Sequence, residues 1–235
     1  MDLLYSYTAF LLAYLIGSVS FAVIVSKLMR LPDPRSYGSK NPGATNVLRS
    51  GSKLAAVLTL LLDALKGFVP TALVQYYSFE LGFDDTTIAF VGVAAFLGHL
   101  FPVFFHFEGG KGVATAAGVL LAFDPLLGGG TLVAWCVIAA LFRYASLASI
   151  IAAAFAPFLT LLFFDRPMIA LGVSVMSLLL VWRHWRNIVK LLTGKEAKIG
   201  EQAPDTGHKR RRRIRKLHND GSDTRESSQR HKGSR

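Results

Sequence analysis

Three short polar segments interrupt an otherwise apolar chain, and each carries residue types suited to holding an anion. The first is Gly38-Ser39-Lys40-Asn41-Pro42-Gly43-Ala44-Thr45-Asn46-Val47-Leu48-Arg49, which gathers two hydroxyls, two amides, a lysine, an arginine and two glycines. Glycine permits positive φ and close backbone approach, so that consecutive N–H groups converge on one anion. Arginine adds a planar fork that matches phosphate oxygens. Local turn bonding accounts for Asn and Ser taken singly, but not for the whole run ending in Arg49. The second segment, Glu108-Gly109-Gly110-Lys111-Gly112-Val113-Ala114-Thr115, is a glycine loop opening directly into an apolar helix. Such a loop offers unpaired N–H groups and a positive dipole end to an anion, and Lys111 adds a full charge. The Gly-x4-Gly-Lys-[Ser/Thr] spacing of a nucleotide loop is missing. The third segment, Trp182-Arg183-His184-Trp185-Arg186-Asn187-Ile188, is followed by Gly194-Lys195-Glu196. Its His184 and Asn187 are three apart, which predicts one shared helix face, while Trp182, Trp185 and Arg186 suit an interfacial belt.

Asp63, Lys66 and His99 are ionisable residues inside apolar runs. Intramembrane charge is costly and is a functional hypothesis by default. A lone histidine bonded to a carbonyl is nevertheless the commoner arrangement, so His99 alone reads as structural. Asp63 and Lys66, three apart on one predicted face, limit each other's cost and read as a clasp without chemistry.

The elements that must position these segments are membrane helices. The chain is 52% hydrophobic and only 17% charged, where soluble domains are about one-quarter charged. Apolar blocks cover residues 3–29, 54–77, 86–107, 126–142, 146–164 and 168–182, and a crossing helix needs roughly 20 such residues. The first block has Asp2 in place of a basic leader and no small-residue cleavage site, so it reads as a retained span. Residues 113–123 are apolar but short, and Asp124-Pro125 with Gly128-Gly129-Gly130 breaks the chain after them. Paired with 126–142 this stretch completes a hairpin and a total of seven spans; a re-entrant segment is the alternative.

The connections carry Arg30, Arg35, Lys40, Arg49 and Lys53 first, then Glu80, Asp84 and Asp85, then Lys111, Asp124 and Arg143 in turn. The stretch from Arg183 onward is heavily basic, and the net charge is +11. Basic loops stay in the cytoplasm. The expectation is therefore an all-α polytopic integral membrane protein of about seven transmembrane helices, its N-terminus outside and its C-terminus cytoplasmic. Residues 1–199 form the transmembrane domain. Residues 200–235, with KRRRRIRK at 209–216, read as a disordered basic tail. Attraction to anionic headgroups suits that tail; nucleic acid does not, since aromatic stacking residues are missing. Cys136 has no second cysteine to pair with, and no internal repeat is visible.

Taken together, GSKNPGATNVLR, DALKG, GHLFPVFFHFEGGKGVAT, RYASLASI and RHWRNIVKLLTGKEAK resemble, in order and spacing, the bacterial membrane acyl-phosphate:glycerol-3-phosphate acyltransferase family, PlsY. The likeness runs from residue 3 to about residue 199. It implies an enzyme of phospholipid biosynthesis that moves a fatty acyl group from acyl phosphate to the sn-1 hydroxyl of glycerol 3-phosphate. The products are lysophosphatidic acid and phosphate. It implies catalytic roles for Ser39, Arg49, Lys111, His184 and Asn187, with substrate binding by Asn41, Thr45, Asn46, Gly109, Gly110, Gly112 and Ser149. Glu196 is implied as structural, and neither metal nor cofactor is called for. The proton acceptor is His184 or a substrate phosphate. The implied setting is the bacterial inner membrane, multi-pass, the site facing the cytoplasm, beside membrane lipids and in functional link with an enzyme that makes acyl phosphate. Two positions depart from the family pattern: Lys40 stands where a glycine is usual, and Glu108 where a basic residue is usual. A transporter or binding protein for organic phosphates is the rival reading; transporters tend to hold substrate at the midplane between repeats, whereas these anion motifs cluster on one side.

Overall fold

The computed structural model describes residues 2–201, and every regular element among them is helical. In chain order these are α1 (Asp2–Gly17), α2 (Phe21–Leu28), α3 (Ala44–Leu48), α4 (Lys53–Tyr76), α5 (Ser78–Leu81), α6 (Asp85–Leu100), α7 (Val113–Phe123), α8 (Pro125–Phe142), α9 (Ala145–Phe163), α10 (Pro167–Arg183) and α11 (Trp185–Leu192). Polar caps start the long ones. Ser52 accepts the Ala55 N–H at 3.2 Å, Asp84 that of Thr87 at 2.8 Å, and Asp124 that of Leu126 at 2.7 Å; each fills an orphan donor of a helix start.

Four helices are long and apolar enough to cross a membrane: α4, α6 with its 3-10 extension to Phe105, α8 and α9. Two bent pairs bring the candidates to six, α1 with α2 at 42° and α10 with α11 at 56°. The short segment 113–123 is a helix of 11 residues, about 16 Å long against the roughly 30 Å of a hydrocarbon core. Its length is set by its ends. Gly112 enters at φ +82°, and Asp124 is extended and already caps α8 ahead of Pro125. The sequence spacing that puts His184 and Asn187 on one helix is broken in the fold: α10 stops at Arg183, and His184 is the joint from which α11 departs. The basic stretch from 202 to 235 lies outside the described residues.

Between helices the contacts are made by small residues, as expected where lipid gives apolar side chains no reason to leave it. Large side chains such as Leu61, Leu65, Phe158, Leu161 and Leu178 face outward, while the interior is rich in alanine and glycine. A Cβ added at Gly98 would collide with the Tyr14 carbonyl of α1, and one added at Gly118 with the Ala64 carbonyl of α4. Tyr14 also reaches α6, donating its hydroxyl to the Phe101 carbonyl at 2.8 Å. At the opposite end of the bundle, Arg166 forks onto Asp85 at 2.6 and 3.0 Å and joins α10 to α6.

The charged pair of α4 is buried. Lys66 Nζ lies 2.8 Å from Asp63 Oδ1 and donates at 2.7 Å to the carbonyl of Val19, in the unwound turn between α1 and α2. The clasp expected from the spacing thus holds a broken helix as well as its own.

These packing differences separate two glycines of similar sequence context. A methyl at Gly129 meets open space, so Gly129→Ala should raise the unfolding midpoint in detergent, by about 1 kcal/mol or less in helix propensity. Gly98→Ala should lower it by about 1–3 kcal/mol through overpacking against backbone. Thermal melts of both variants check the pair.

Candidate active site

The first anion segment is a loop pinned by one buried amide. Asn46, on α3, is 2% exposed. Its Nδ2 donates to the carbonyls of Pro34 at 2.7 Å and Tyr37 at 3.3 Å, and its Oδ1 accepts the Ser39 N–H at 3.0 Å. Its polar atoms are therefore engaged in shaping the loop. Gly38 has φ +56°, and an added Cβ there would strike Asn46 Oδ1 and lie 3.4 Å from Arg49 Nη1. The bare backbone at Gly38 is what lets the half-buried Arg49 side chain lie across it. Lys40 has φ +58°, in the left-handed region. A glycine would enter this turn without strain, and here lysine occupies it. Ser39, Lys40 and Thr45 are exposed.

The second segment is fixed from both sides. Arg183 donates Nη2 to the Gly109 carbonyl at 2.8 Å and Nε to the Gly110 carbonyl at 3.0 Å. From behind, the Gly110 N–H donates to the His99 carbonyl at 3.1 Å. Side chains at Gly109 or Gly110 would collide with the backbone of His99 and Leu100 or with the His99 ring. The loop then delivers Lys111 and Gly112 to the start of α7, whose first N–H groups have no side-chain cap. Glu108, where a basic residue is usual, faces Arg35 of the first loop at 3.7 Å; Arg35 is itself forked onto Asp33.

The third segment closes the arrangement. Lys111 Nζ donates to Asn187 Oδ1 at 2.6 Å, and Asn187 Nδ2 donates to Glu196 Oε1 at 2.6 Å. Glu196 Oε1 also accepts the Ser146 hydroxyl at 2.7 Å. The carboxylate of Glu196 so orients the amide that receives Lys111. Burial holds the Lys111 pKa down to about 8; Glu196 opposes that shift, while Lys190, Arg49 and Arg183 reinforce it. The coupling to Arg49 brings the cations of the first two segments within electrostatic reach of each other. His184 is 2% exposed, and its Nδ1 lies 2.8 Å from the Leu180 carbonyl. A carbonyl only accepts, so Nδ1 carries the proton and Nε2 keeps a free lone pair.

One expected residue lies apart. Ser149 accepts the Trp135 indole N–H at 3.0 Å and donates to the Ala145 carbonyl at 2.8 Å. It lines an apolar cavity between α7, α8, α9 and α10, with Val113, Ala116, Leu120, Val173 and Leu180. The serine joined to the polar cluster is Ser146, one turn earlier. Sequence reasoning passed over Ser146 and Arg183. Arg183 had a visible signal in its place directly before His184, but its residue type alone does not separate a loop clamp from an interfacial arginine.

A family model described as "Glycerol-3-phosphate acyltransferase" matches residues 7–194. The glycerol-3-phosphate acyltransferase of Paraburkholderia phytofirmans is 60% identical over 190 residues, covering 81% of this chain and 89% of that protein. That of Cupriavidus taiwanensis is 61% identical over 192 residues, covering 82% and 95%. The crystal structure of PlsY (YgiH), an integral membrane glycerol 3-phosphate acyltransferase in its glycerol 3-phosphate form, is similar with a TM-score of 0.78 and 39% identity, over 83% of this chain and 96% of that one. Its lysophosphatidic acid form gives 0.77 and 38%. With the family model matching residues 7–194 and relatives about 60% identical over four-fifths of it, the chain belongs to the glycerol-3-phosphate acyltransferase family.

Proposed function

We propose that this protein transfers a fatty acyl group from acyl phosphate to the sn-1 hydroxyl of glycerol 3-phosphate, and that Gly109, Gly110, Lys111 and Gly112 with Arg49 hold the phosphates. The observation that carries this reading is the junction of a cationic glycine loop with an apolar cavity. Val113 lines the cavity and follows Gly112 directly; Leu180 lines it too and supplies the carbonyl that holds His184. An acyl phosphate has that same shape, an anionic head on an apolar tail. A carrier of small organic phosphates has no use for the cavity, which disfavours the transport reading.

The reaction needs little covalent help, because acyl phosphate is a mixed anhydride. The C1 hydroxyl oxygen of glycerol 3-phosphate forms a bond to the acyl carbon, the bond from that carbon to the phosphate oxygen breaks, and the hydroxyl proton leaves on phosphate. Positioning and electrostatic stabilisation supply the acceleration. A protonated His184 would place another cation beside Lys111 in a buried pocket, which favours the departing phosphate as proton acceptor. His184 Nε2 then accepts the neighbouring C2 hydroxyl and orients the glycerol, which leaves the single proton of the attacking C1 hydroxyl to the phosphate. Ser39 and Asn187 complete the set around the reacting groups, with Asn41, Thr45 and Asn46 forming the first loop and Ser149 the wall of the acyl cavity.

The same reading gives a chain of seven crossings in the bacterial inner membrane, α7 being a half-length one. Its N-terminus is outside and the site is cytoplasmic, where an enzyme making acyl phosphate delivers its product. The basic first loop, set against an α4–α6 connection with no Lys or Arg, supports that orientation.

Purified protein given acyl phosphate and glycerol 3-phosphate should form lysophosphatidic acid; glycerol 3-phosphate uptake into proteoliposomes without acyl transfer would reverse the reading. Lys111→Ala should lower kcat/KM roughly 10- to 100-fold, the value of one or two charge-assisted bonds, at a nearly unchanged melting temperature. Arg49→Lys should also be damaging, since an ammonium keeps the charge and loses the fork.

The pH profile follows from the Lys111 ammonium. Below about 8 it is protonated and binds phosphate; as pH rises above about 8 the charge is lost and KM for the phosphate substrates climbs. Lys111→Arg should flatten that limb. In a variant lacking Cys136, a cysteine replacing Lys53 should label only from the cytoplasmic side and one replacing Glu80 only from outside; the opposite pattern inverts the topology.

A further inference from the structure

Behind the glycine loop lies a buried polar cluster that the acyl transfer itself does not use. Asp63, Lys66, His99 and Thr115 come from α4, α6 and α7, and each is at most 6% exposed. Thr115 Oγ1 lies 2.9 Å from the Asp63 carbonyl and 3.1 Å from His99 Nδ1. Its single O–H goes to the carbonyl, which only accepts, so His99 Nδ1 must be the donor to Thr115. Asp63 Oδ1, held by Lys66, faces the same Nδ1 at 3.8 Å. The tautomer is thereby fixed, and the other ring nitrogen, Nε2, presents a lone pair toward the loop. That nitrogen lies against Gly110: an added Cβ there would collide with it and come within 3.1 Å of the ring carbons on both sides. The backbone of the same histidine takes the Gly110 N–H. Arg183 grips the loop carbonyls from the opposite side.

We infer that this cluster is a positioning device, in which His99, locked as the Nδ1–H tautomer by Thr115 and Asp63, forms the back wall that sets the seat of the glycine loop for phosphate. The inference rests on the reading of Gly109–Gly112 as the phosphate loop. It accounts for the placing of a costly polar group in each of three membrane helices: the loop has a wall of fixed shape on one side and the Arg183 fork on the other. Thr115 stands in the first turn of α7, so the residue that orients the wall also belongs to the helix whose N–H groups the loop presents.

The test compares Thr115→Val, Thr115→Ser and Lys111→Ala as full-length purified proteins, by steady-state kinetics with both substrates and by melting. Thr115→Val keeps the shape and loses the hydroxyl; it should raise KM for a phosphate substrate about tenfold, the scale of one lost hydrogen bond, with kcat nearly unchanged. Thr115→Ser should restore it. An unmoved KM in Thr115→Val, with only the melting temperature lowered, would overturn the inference if Lys111→Ala still raises KM. If Lys111→Ala leaves KM unmoved as well, the phosphate reading fails with it. Should Thr115→Val not fold, Gly110→Ala is compared with Gly110→Ala/His99→Asn. Removing the ring should win back much of the affinity that the methyl loses, whereas additive losses would overturn the proposal.

Discussion

Lysine and aspartate have no place in a bilayer-spanning helix unless each is answered, and the answer here organises the site. Lys66 meets Asp63 at 2.8 Å and spends a second donor on the Val19 carbonyl, where α1 gives way to α2. Unwound backbone at membrane depth survives only where something inside the protein satisfies it, and this ammonium does so. Breaking a buried pair by removing one partner leaves an uncompensated charge. The pair therefore fixes the bend that aims α2 at the first anion loop. Through the Asp63 carbonyl and Thr115 it also fixes the start of α7, from which the glycine loop hangs. One turn of α4 thus touches the helices that lead into both polar segments, through the Lys66 ammonium on one side and the Asp63 carbonyl on the other.

That frame produces a site of one electrostatic sign at one end of the bundle. Lys190, Arg49 and Arg183 are close enough to influence the Lys111 ammonium, with Glu196 the opposing charge. Glu196 works by orientation, gripping Asn187 and Ser146. On the proposed reading, an anion in such a pocket sets attraction against the mutual repulsion of these cations, and the apolar cavity beside the same loop takes the fatty chain.

Much of this was legible in the sequence because the bilayer restricts the options. Apolar blocks of sufficient length become helices, and Ser52, Asp84 and Asp124 cap helix starts by ordinary local hydrogen bonding. Residue types also exposed the three polar segments, since glycine, lysine and asparagine have no reason to gather among apolar residues. The failures share a cause. Whether helix periodicity continues through His184 depends on tertiary packing, and the chain bends there. Ser146 and Ser149 stand one turn apart on α9, and only the position of Glu196, some fifty residues later, decides which one meets the polar cluster. Arg183 is indistinguishable from an interfacial arginine until its fork is found on the Gly109 and Gly110 carbonyls. The partners of His99, Thr115 and Asp63, are likewise distant in sequence and meet it only in the fold. Lys40 takes φ +58°, a left-handed turn that its residue type does not announce.

The central claim is that the two loops converge on one phosphate pocket at the mouth of the apolar cavity. A structure of this protein with glycerol 3-phosphate bound measures that directly. The account predicts phosphate oxygens within hydrogen-bond distance of both Lys111 Nζ and the Arg49 guanidinium, with the C2 hydroxyl on His184 Nε2 and the C1 hydroxyl turned toward the cavity lined by Val113 and Leu180. A phosphate seated on one loop alone, with the glycerol directed away from that cavity, would contradict it.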